Sequence, residues 1–560
     1  MADTRIWHQH YPKEVPFHCD YPKQNLACIL TNSAERYPGH PAIEFFGKKW
    51  TYKQLAEQSS RFANALIALG IHKGDRVAVM LPNCPQAVIS YYGILMAGAV
   101  VVETNPLYTE RELEHHFADS GAVAVITLDV LLQKVRAVKP KTHVRHILVT
   151  SIVDFLPFPK NIVYRFKQKK DGSLPNITYN QKILSVSALL KSAEARPVIA
   201  DVDADNDIAI LQYTGGTTGR SKGVMLTHAN ITVNTIQASV WSYTLEQGKE
   251  RFLGALPLFH VFGMTVLLNM CFYMGGMLIL MPRYDVNQLL KLIGKWQPTF
   301  FPGAPTMFIG ILNHPELGRY DLRSVKYCIS GSAPLPAEVQ ERFEKLTGGQ
   351  IIEGYGLTEA SPITHCNVAW GKRKIGSIGI PFPDTEAKIV DLQTGEELSV
   401  GAVGELAVKG PQVMKGYWNN EEETGKALKD GWLLTGDMAM MDEDGFFFIM
   451  DRKKDMIIAG GFNIYPREVE EVLYEHPGVM DASVIGIPDS YRGETVKAFV
   501  VAKPGITLFS EELDEWCRER LAAYKVPRYY EFRHELPKTM VGKVLRRKLL
   551  EEEMDKIYKA

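Results

Sequence analysis

The sequence predicts an α/β protein with a large N-terminal domain that holds two α/β sheets plus a small β-rich subdomain, followed by a small α+β C-terminal domain. Three observations lead to this prediction. Apolar runs alternate with helical spacing in the first two thirds of the chain, short strands separated by turn signals follow, and a charged α+β pattern ends it. Strands and helices that take turns in this way are typical of α/β sheets.

The alternation is clearest after about residue 207. The apolar run DIAILQY starts it, SVKYCIS and QIIEGYGLTE follow later, and between these runs apolar residues recur every three or four positions. That spacing predicts helices, and its members are Val286, Leu289, Ile293 and Trp296, then Leu335, Val339, Phe343 and Leu346. Earlier apolar runs, RVAVMLP, AVVVE, AVAVITL and HILVT, predict a second sheet.

Two changes in the residue pattern set the predicted domain boundaries. After about residue 375 turn signals such as DLQTGEE and VKGPQ separate short strands, which predicts a β-rich subdomain over about 375–450. From Asp451 onward the charge density rises and helical and strand patterns are mixed. We therefore expect an N-terminal domain at 1–450 and a C-terminal domain at 451–560.

Composition excludes several classes of protein. The 63 Lys and Arg against 64 Asp and Glu leave a net charge of −1, so no global field indicates a nucleic-acid partner. The seven cysteines are scattered without a Cys-x-x-Cys pair, which predicts a reduced, cytoplasmic protein.

No targeting peptide is expected, because the first residues lack an apolar stretch. The uncharged stretches Val77 to Val102 and Phe252 to Pro282 are interrupted by Pro, Asn and Gly, which predicts buried core segments rather than membrane spans.

A glycine-rich loop is the strongest local signal for chemistry. The segment from Tyr213 to Val224 reads YTGGTTGRSKGV, a strand running into a loop. Glycines let backbone N–H groups approach a phosphate, hydroxyls add donors, and a lysine adds charge. The candidate phosphate-binding residues are Thr214, Gly215, Gly216, Thr217, Thr218, Gly219 and Lys222. Ser221 stands where a Walker A loop requires glycine, so a P-loop kinase is disfavoured.

This loop resembles the signature loop of the adenylate-forming superfamily, which includes acyl-CoA synthetases, luciferases and peptide-synthetase adenylation domains. Seven further segments resemble that family's motifs in the same order. They are LPLFHVFG from Leu256, GSAPL from Gly331, EGYGLTE from Glu353, LTGD from Leu434, DRKKD from Asp451, GGFNIYP from Gly460 and PKTMVGK from Pro537. The resemblance covers nearly the whole chain, and the run from Asp430 to Ile458 is similar to the signature of fatty-acyl-CoA synthetases. Within that superfamily the chain resembles bacterial long-chain-fatty-acid–CoA ligases.

The resemblance implies an ATP site. Tyr355 would stack on adenine, Glu359 would bind magnesium, Thr358 would lie near the α-phosphate, and Asp437 would accept both ribose hydroxyls with Arg452 as an added donor. The other residues implied in nucleotide binding are Gly331, Ser332, Ala333, Pro334, Glu353, Gly354 and Gly356. Without the family context, the heptapeptide EGYGLTE is a strand end and a turn, and Asp437 is a turn residue.

The resemblance also implies an acyl site. His260 would lie beside the substrate carboxylate, and an apolar pocket would follow from Val261, Met264, Leu268, Cys271 and Gly303. The first four of these would face one side at helical spacing. The alternative is that His260 is a satisfied core histidine and its neighbours are ordinary core residues.

Lys543, in a basic C-terminal segment, resembles the family's adenylation lysine, whose charge would act on the carboxylate and α-phosphate. Asp451 matches the hinge about which the family's mobile C-terminal domain rotates between its two half-reactions. Gly460, Gly461 and Phe462 would then lie along the pantetheine arm of coenzyme A. The alternatives are a solvated charge run at Lys543 and an ordinary turn at Gly460 and Gly461.

One basic and aromatic segment, FLPFPKNIVYRFKQKK from Phe155, is less typical of the family. It interleaves Phe155, Phe158, Ile162, Tyr164 and Phe166 with Lys160, Arg165, Lys167, Lys169 and Lys170. Such a segment could lie on the anionic inner face of a cell membrane. It could equally be a solvated loop.

The function implied is ATP-, Mg- and coenzyme-A-dependent thioester formation on a long-chain fatty acid, through an acyl-adenylate and with release of AMP and pyrophosphate. Ligases for medium-chain or aryl acids and a non-catalytic lipid-binding membrane adaptor stay open as alternatives. Amino-acid adenylation is disfavoured, because those domains place an acidic residue where this chain reads His260, Val261 and Phe262. A homodimer and a peripheral membrane contact are also left open.

Overall fold

The computed structural model describes residues 5–171, 176–214, 221–459, 462–489, 492–539 and 542–559. The chain divides into two compact units. The first comprises Met1–Ile375, Pro381–Glu386 and Lys409–Leu433, and the second comprises Gly376–Ile380, Ala387–Val408 and Leu434–Ala560.

The strands and helices of both units are numbered together along the chain. In chain order the strands are β1 (Pro41–Phe45), β2 (Lys48–Thr51), β3 (Arg76–Met80), β4 (Val100–Glu103), β5 (Ala124–Leu128), β6 (His146–Thr150), β7 (Ile183–Ser185), β8 (Ile208–Thr214), β9 (Lys222–Thr227), β10 (Arg251–Gly254), β11 (Met277–Leu280), β12 (Phe300–Gly303), β13 (Tyr327–Ser330), β14 (Gln350–Gly356), β15 (Ile363–Cys366), β16 (Ile380–Pro381), β17 (Glu386–Val390), β18 (Gly404–Lys409), β19 (Gly416–Tyr417), β20 (Leu428–Lys429), β21 (Trp432–Met441), β22 (Phe447–Arg452), β23 (Ile457–Ala459), β24 (Phe462–Ile464), β25 (Val479–Asp489), β26 (Gly493–Ala502) and β27 (Tyr529–Phe532). The α-helices are α1 (Cys28–Arg36), α2 (Tyr52–Ala68), α3 (Pro85–Met96), α4 (Glu110–Ser120), α5 (Leu132–Val138), α6 (Lys160–Lys170), α7 (Val186–Ser192), α8 (His228–Trp241), α9 (Met270–Tyr273), α10 (Val286–Trp296), α11 (Pro305–Leu312), α12 (Ala337–Thr347), α13 (Glu421–Ala427), α14 (Pro466–Tyr474), α15 (Ser510–Arg518) and α16 (Arg546–Lys559). Short 3₁₀ turns lie at Ile6–His10, Asp129–Leu131, Lys139–Lys141, Ile152–Phe155, Leu317–Arg319 and Thr358–Ala360, and a π-helix spans Gly263–Asn269.

Two sheets organise the first unit. One runs β15-β14-β13-β12-β10-β11-β1-β2 and is parallel from β14 to β1. The other runs β19-β9-β8-β4-β3-β5-β6-β7 and is parallel from β8 to β7. The four early apolar runs form β3 to β6 of this second sheet, so the predicted pair of α/β sheets is confirmed.

Helix α10 follows the predicted apolar spacing, whereas α12 begins at Ala337 and so excludes Leu335 from the second predicted set. In α10, Leu289 and Ile293 are buried, and the Asp285 side chain accepts a hydrogen bond from the Gln288 N–H at the start of the helix. In α3 every residue is buried, with Pro85 in the first turn. The uncharged stretch at 77–102 is therefore a strand, a buried helix and a second strand. Within the described ranges, no helix combines the length and apolar character needed to cross a membrane.

The second unit contains two β-sheets. Strands β17, β18, β21 and β22 pair in that order. Strands β24, β23, β26 and β25 form a further sheet to which β27 adds in parallel, and α14 and α15 share an apolar core with it. The α+β character predicted for the C-terminal part is confirmed.

Candidate active site

Three neighbouring parallel strands of the first sheet end side by side. Gly303, Ser330 and Glu353, on β12, β13 and β14, are in register. The Gly331 N–H donates to the Gly303 carbonyl at 3.1 Å, and a Cβ at Gly331 would lie 3.1 Å from the Phe262 ring. In open α/β sheets, ligands bind in the crevice outside such carboxyl ends. The predicted residues Gly303, Gly331 and Glu353 are thus brought together.

The segment after β13 is held against β14. The Leu335 N–H donates to Glu353 Oε2 at 3.3 Å, and Glu353 is buried. Ser332 has a φ of 72°, a left-handed conformation that a non-glycine residue adopts at a cost and that is often found at ligand sites. Ala333 and Pro334 complete this predicted adenine-binding segment. The hydrogen bond from Leu335 to Glu353 holds the end of the segment beside β14.

Tyr355 and Glu359 lie at and just beyond the end of β14. Tyr355 is opposite His365 on β15, with ring centroids 6.0 Å apart, and Gly354 and Gly356 flank it. Thr358 and Glu359 are on the following 3₁₀ turn. Tyr417 Oη donates to Glu359 Oε1 at 2.8 Å, and the Met414 N–H donates to the Glu359 carbonyl at 2.8 Å. Burial, with the neighbouring Glu359 carboxylate, raises the pKa of Tyr417, so the phenol stays a donor.

Two residues that pair across neighbouring strands flank the glycine-rich loop. Thr214 on β8 pairs with Lys222 on antiparallel β9. Lys222 Nζ lies 2.9 Å from Glu423 Oε2 and 4.2 Å from the centroid of the Tyr417 ring. This ion pair lowers the pKa of Glu423. The Lys222 side chain is therefore held by Glu423 and Tyr417 at the end of the loop. Gly215, Gly216, Thr217, Thr218 and Gly219 lie outside the described residues.

His260 follows a segment fixed by two buried amides. Asn83 Nδ2 donates to the carbonyls of Gly254 and Leu256, and Asn83 Oδ1 accepts from the Leu258 N–H at 2.8 Å. Gln212 Nε2 donates to the Phe259 carbonyl at 3.1 Å.

The His260 imidazole is itself oriented by the backbone. The Phe262 N–H donates to His260 Nδ1 at 3.3 Å. An imidazole that accepts at Nδ1 carries its proton on Nε2 when neutral. His260 Nε2 is thereby set up as a donor for an oxygen.

The predicted acyl-pocket residues are all buried, but the segment that carries four of them is not a continuous α-helix. Val261 precedes the π-helix, Met264 and Leu268 lie within it, and Cys271 follows it in α9. A π-helix has i to i+5 bonding, so the three- and four-residue spacing used for the prediction does not apply here. The common face of these residues therefore stays a prediction.

Side-chain hydrogen bonds anchor this π-helix. Asn269 Nδ2 donates to Tyr91 Oη and Asn269 Oδ1 accepts from Tyr92 Oη, both at 2.9 Å. Asn269 Nδ2 also donates to the Met264 carbonyl at 3.1 Å. Thr265 Oγ1 donates to the Ser361 carbonyl at 2.7 Å, which ties the π-helix to the turn that carries Glu359. π-Helical turns of this kind often occur at functional sites.

The second unit holds a separate charged group around Asp437. Asp437 and Arg452 are register partners on β21 and β22, with Arg452 Nε 3.5 Å from Asp437 Oδ1. Gly436, at a φ of 73°, allows the turn in β21, and its N–H donates to Glu405 Oε1 at 3.0 Å. Asp437 itself is buried.

Lys543 lies in a tight turn in the same unit. Its N–H donates to Thr539 Oγ1 at 3.1 Å, and its carbonyl accepts from the Thr539 N–H at 2.8 Å. The pKa of Lys543 is lowered to about 7, mainly by burial, with Arg452 adding to the shift and Asp437 opposing it. Lysines with such a pKa are typical of sites that use a desolvated charge.

Asp451 is buried with both carboxylate oxygens occupied. Oδ1 accepts from Arg546 Nη1 at 2.8 Å, and Oδ2 accepts from the Arg467 N–H at 2.6 Å. Arg546 also pairs with Glu470 at 2.6 Å. The chain segment at Asp451 is thus held by residues from α14 and α16.

Of the predicted coenzyme-A residues, Phe462 is described and exposed on β24, where its ring stacks on Tyr524 at 4.6 Å. Gly460 and Gly461 lie outside the described residues.

The chain is similar to a known protein family and, over nearly its whole length, to known proteins. Residues 30–418 match the model of the AMP-binding enzyme family, and residues 468–543 match that of the AMP-binding enzyme C-terminal domain. The chain belongs to the AMP-binding enzyme family. It is 54% identical to the long-chain-fatty-acid–CoA ligase of Bacillus subtilis (strain 168) over 99% of both chains. It is 43% identical to the ligase of the same name from Salmonella typhimurium, again over 99% of both. Among solved structures, ATP-bound MatB from Rhodopseudomonas palustris is 30% identical, with a TM-score of 0.84 over 94% of this chain and 99% of that one.

Several residues that orient the family's motifs were missed by sequence reasoning. Tyr417 and Glu423, which contact Glu359 and Lys222, lie far along the chain from the residues that they position. Asn83 and Gln212 fix the segment before His260. The run GYW at 416–418 contains an aromatic residue beside a glycine, but its spacing from EGYGLTE carries no periodic signal.

Proposed function

We propose that this AMP-binding enzyme is a long-chain-fatty-acid–CoA ligase that joins a fatty acid to coenzyme A through an acyl-adenylate. The observation that carries the proposal is its high identity, over essentially the whole chain, to the Bacillus subtilis enzyme of that name. The convergence of Gly331, Glu353, Tyr355 and Glu359 at the carboxyl ends of β13 and β14 supports a nucleotide site in the same chain.

In the first half-reaction, a carboxylate oxygen attacks the α-phosphorus of ATP. The bond from that phosphorus to the bridging oxygen breaks, and pyrophosphate leaves. His260 would donate Nε2–H to the carboxylate, Thr358 would contact the α-phosphate, and the ammonium group of Lys543 would stabilise the charge that develops. Tyr355 would stack on adenine, and Asp437 would accept the ribose hydroxyls.

Glu359 fits a magnesium site. One of its oxygens accepts from Tyr417, which fixes the carboxylate, and the described residues contain no group of three or more His, Cys, Asp or Glu that could enclose a metal. A single carboxylate suits magnesium, which is usually bound by one or two carboxylates and substrate phosphates. When bound, the ion would supply positive charge that offsets the triphosphate.

In the second half-reaction, the thiol sulfur of coenzyme A attacks the acyl carbonyl carbon, the bond to the phosphate oxygen breaks, and AMP leaves with loss of the thiol proton. We propose that a C-terminal domain beginning at residue 451 turns about Asp451 between the two steps, since each step needs different groups. The Gly460 to Phe462 segment would then lie along the pantetheine arm. The buried contacts of Asp451 with Arg546 and the Arg467 N–H support a defined hinge.

A preference for long acids is the test of this function. The specificity constant should rise from butanoate through octanoate to palmitate and oleate, because each buried CH₂ is worth roughly 0.8 kcal/mol and Met264, Leu268 and Cys271 are apolar. Pyrophosphate release with ATP, magnesium and each acid measures it. Highest values for short acids or for benzoate would reject the substrate class, and no release with any acid would favour a non-catalytic lipid-binding protein.

We also propose that the enzyme works in the cytoplasm with a peripheral contact on the inner face of the membrane. Its proposed substrate dissolves in bilayers, and one helix exposes apolar side chains.

A further inference from the structure

Helix α6 exposes its apolar side chains and buries a polar one, which is the reverse of an ordinary surface helix. At 3.6 residues per turn, Ile162, Val163 and Phe166 fall on one side and Gln168 on the other. The only buried residue of α6 is Gln168, whereas Val163 and Phe166 are 64% and 69% exposed. Phe158, just before the helix, is 79% exposed. A surface helix normally buries its apolar side, so this apolar side is available for a partner.

The exposed apolar side is surrounded by cations. Lys160, Lys167, Lys169 and Lys170 are exposed on α6 itself. Arg165 is 3.8 Å from Asp154, and Asp171 follows the helix, so these acids offset only part of the charge.

Further lysines come from neighbouring elements. Lys160 Nζ donates to the Phe46 carbonyl at 2.6 Å, which places the start of α6 against the turn between β1 and β2. A Cβ at Gly47 would lie 3.7 Å from Lys160 Nζ and 4.0 Å from Lys295 Nζ on α10. Lys49 and Lys295 flank the Trp296 ring at 4.6 and 4.8 Å.

One expectation from the sequence is corrected at this segment. Phe155 is 9% exposed and packs near Trp50, with ring centroids 6.0 Å apart, so it belongs to the core. It anchors the 3₁₀ turn that precedes α6. The apolar contact surface therefore begins at Phe158.

We propose that Phe158, Ile162, Val163 and Phe166, with Lys160, Lys167, Lys169 and Lys170, form a docking face that binds the surface of an anionic lipid bilayer. The apolar side chains enter the boundary between headgroups and acyl chains, and the lysines contact anionic headgroups. Charge complementarity favours this occupant over a second copy of the chain, since a symmetric dimer through this face would set lysines against lysines. This inference rests on the proposed function, because bilayer binding would let the enzyme take a fatty acid from the membrane without its crossing water.

The test uses the 560-residue protein and two variants of the docking face. One variant carries Phe158→Ser, Val163→Ser and Phe166→Ser, and the other carries Lys160→Gln, Lys167→Gln, Lys169→Gln and Lys170→Gln. Matched controls make the same changes at exposed residues outside the face: Leu107, Val130 and Phe509 to Ser, and Lys13, Lys191, Lys345 and Lys429 to Gln. Co-flotation is measured with phosphatidylcholine vesicles that contain about one third phosphatidylglycerol.

The parent protein should float with these vesicles. Both docking-face variants should lose at least about tenfold in partitioning, and both controls should stay within about twofold. The residual binding of the lysine variant should also depend less on salt than that of the parent. Equal flotation of docking-face and control variants would overturn the proposal. A change from dimer to monomer on sedimentation, without a change in flotation, would overturn it in favour of a self-interface.

Activity with detergent-dispersed oleate is measured on the same samples. We expect both docking-face variants to keep the parent's rate, because the docking face is outside the catalytic residues. A parent protein that floats but does not ligate oleate would reject the proposed function and leave the docking face standing.

Discussion

Replacing Lys543 by alanine should slow formation of the acyl-adenylate by about 10²- to 10³-fold, the usual cost of removing one preorganised group that stabilises developing charge. Thioester formation from supplied acyl-adenylate and coenzyme A should continue at nearly the parent rate, because the lysine is assigned to the first step only. Single-turnover measurement of each half-reaction separates the two. The matched control is Lys548→Ala, an exposed lysine five residues away on α16.

The pH dependence gives an independent check on the same residue. A lysine with a pKa of about 7 is charged below that pH and neutral above it, so kcat/KM for adenylate formation should fall as the pH rises through 7. Lys543→Arg should remove this fall, since a guanidinium stays charged. If Lys543→Ala slowed both half-reactions equally, the lysine would be stabilising the fold rather than acting on the phosphate.

Replacing Glu359 by glutamine should lower kcat/KM for ATP by roughly 10²- to 10³-fold, because a metal ion supplies several kcal/mol of charge stabilisation and glutamine binds it poorly. The magnesium concentration for half-maximal rate should rise in parallel. Tyr417→Phe, which removes the hydrogen bond to Glu359 Oε1, should give a smaller loss in the same direction, of about tenfold.

Glu421→Gln, an exposed change on α13, serves as the control for charge alone. An unchanged magnesium requirement in Glu359→Gln would remove this residue from the metal site, whatever happened to the rate.

The elements that sequence predicted well are those with local, periodic signals. The apolar spacing of Leu289 and Ile293 identified α10, and the continuous apolar runs identified β3 to β6, since strands buried on both faces read as such runs. The convergence of strand ends at β12 to β14 was not predicted from the sequence, because the pairing of adjacent parallel strands is not visible in the spacing of the motifs.

What the sequence could not supply depends on contacts between distant residues. The π-helix is tied to Tyr91 and Tyr92 through Asn269, which is 177 residues beyond Tyr92, and no spacing rule predicts such a bond. The ion pair of Lys222 with Glu423 spans 201 residues. For α6 the residue types were read correctly, but which side faced the protein depended on packing that a single sequence does not reveal.

If the chain activates a long-chain fatty acid as its adenylate, that intermediate should be detectable on the enzyme. The enzyme is mixed with ATP, magnesium and oleate in the absence of coenzyme A, quenched, and analysed for nucleotide and acyl products. We predict oleoyl-AMP bound to the enzyme, in amounts that approach one per chain, with one pyrophosphate released for each, and its conversion to oleoyl-CoA and AMP when coenzyme A is added. Formation of ADP and phosphate instead, or of oleoyl-CoA without any adenylate under single-turnover conditions, would show that the enzyme does not use an acyl-adenylate.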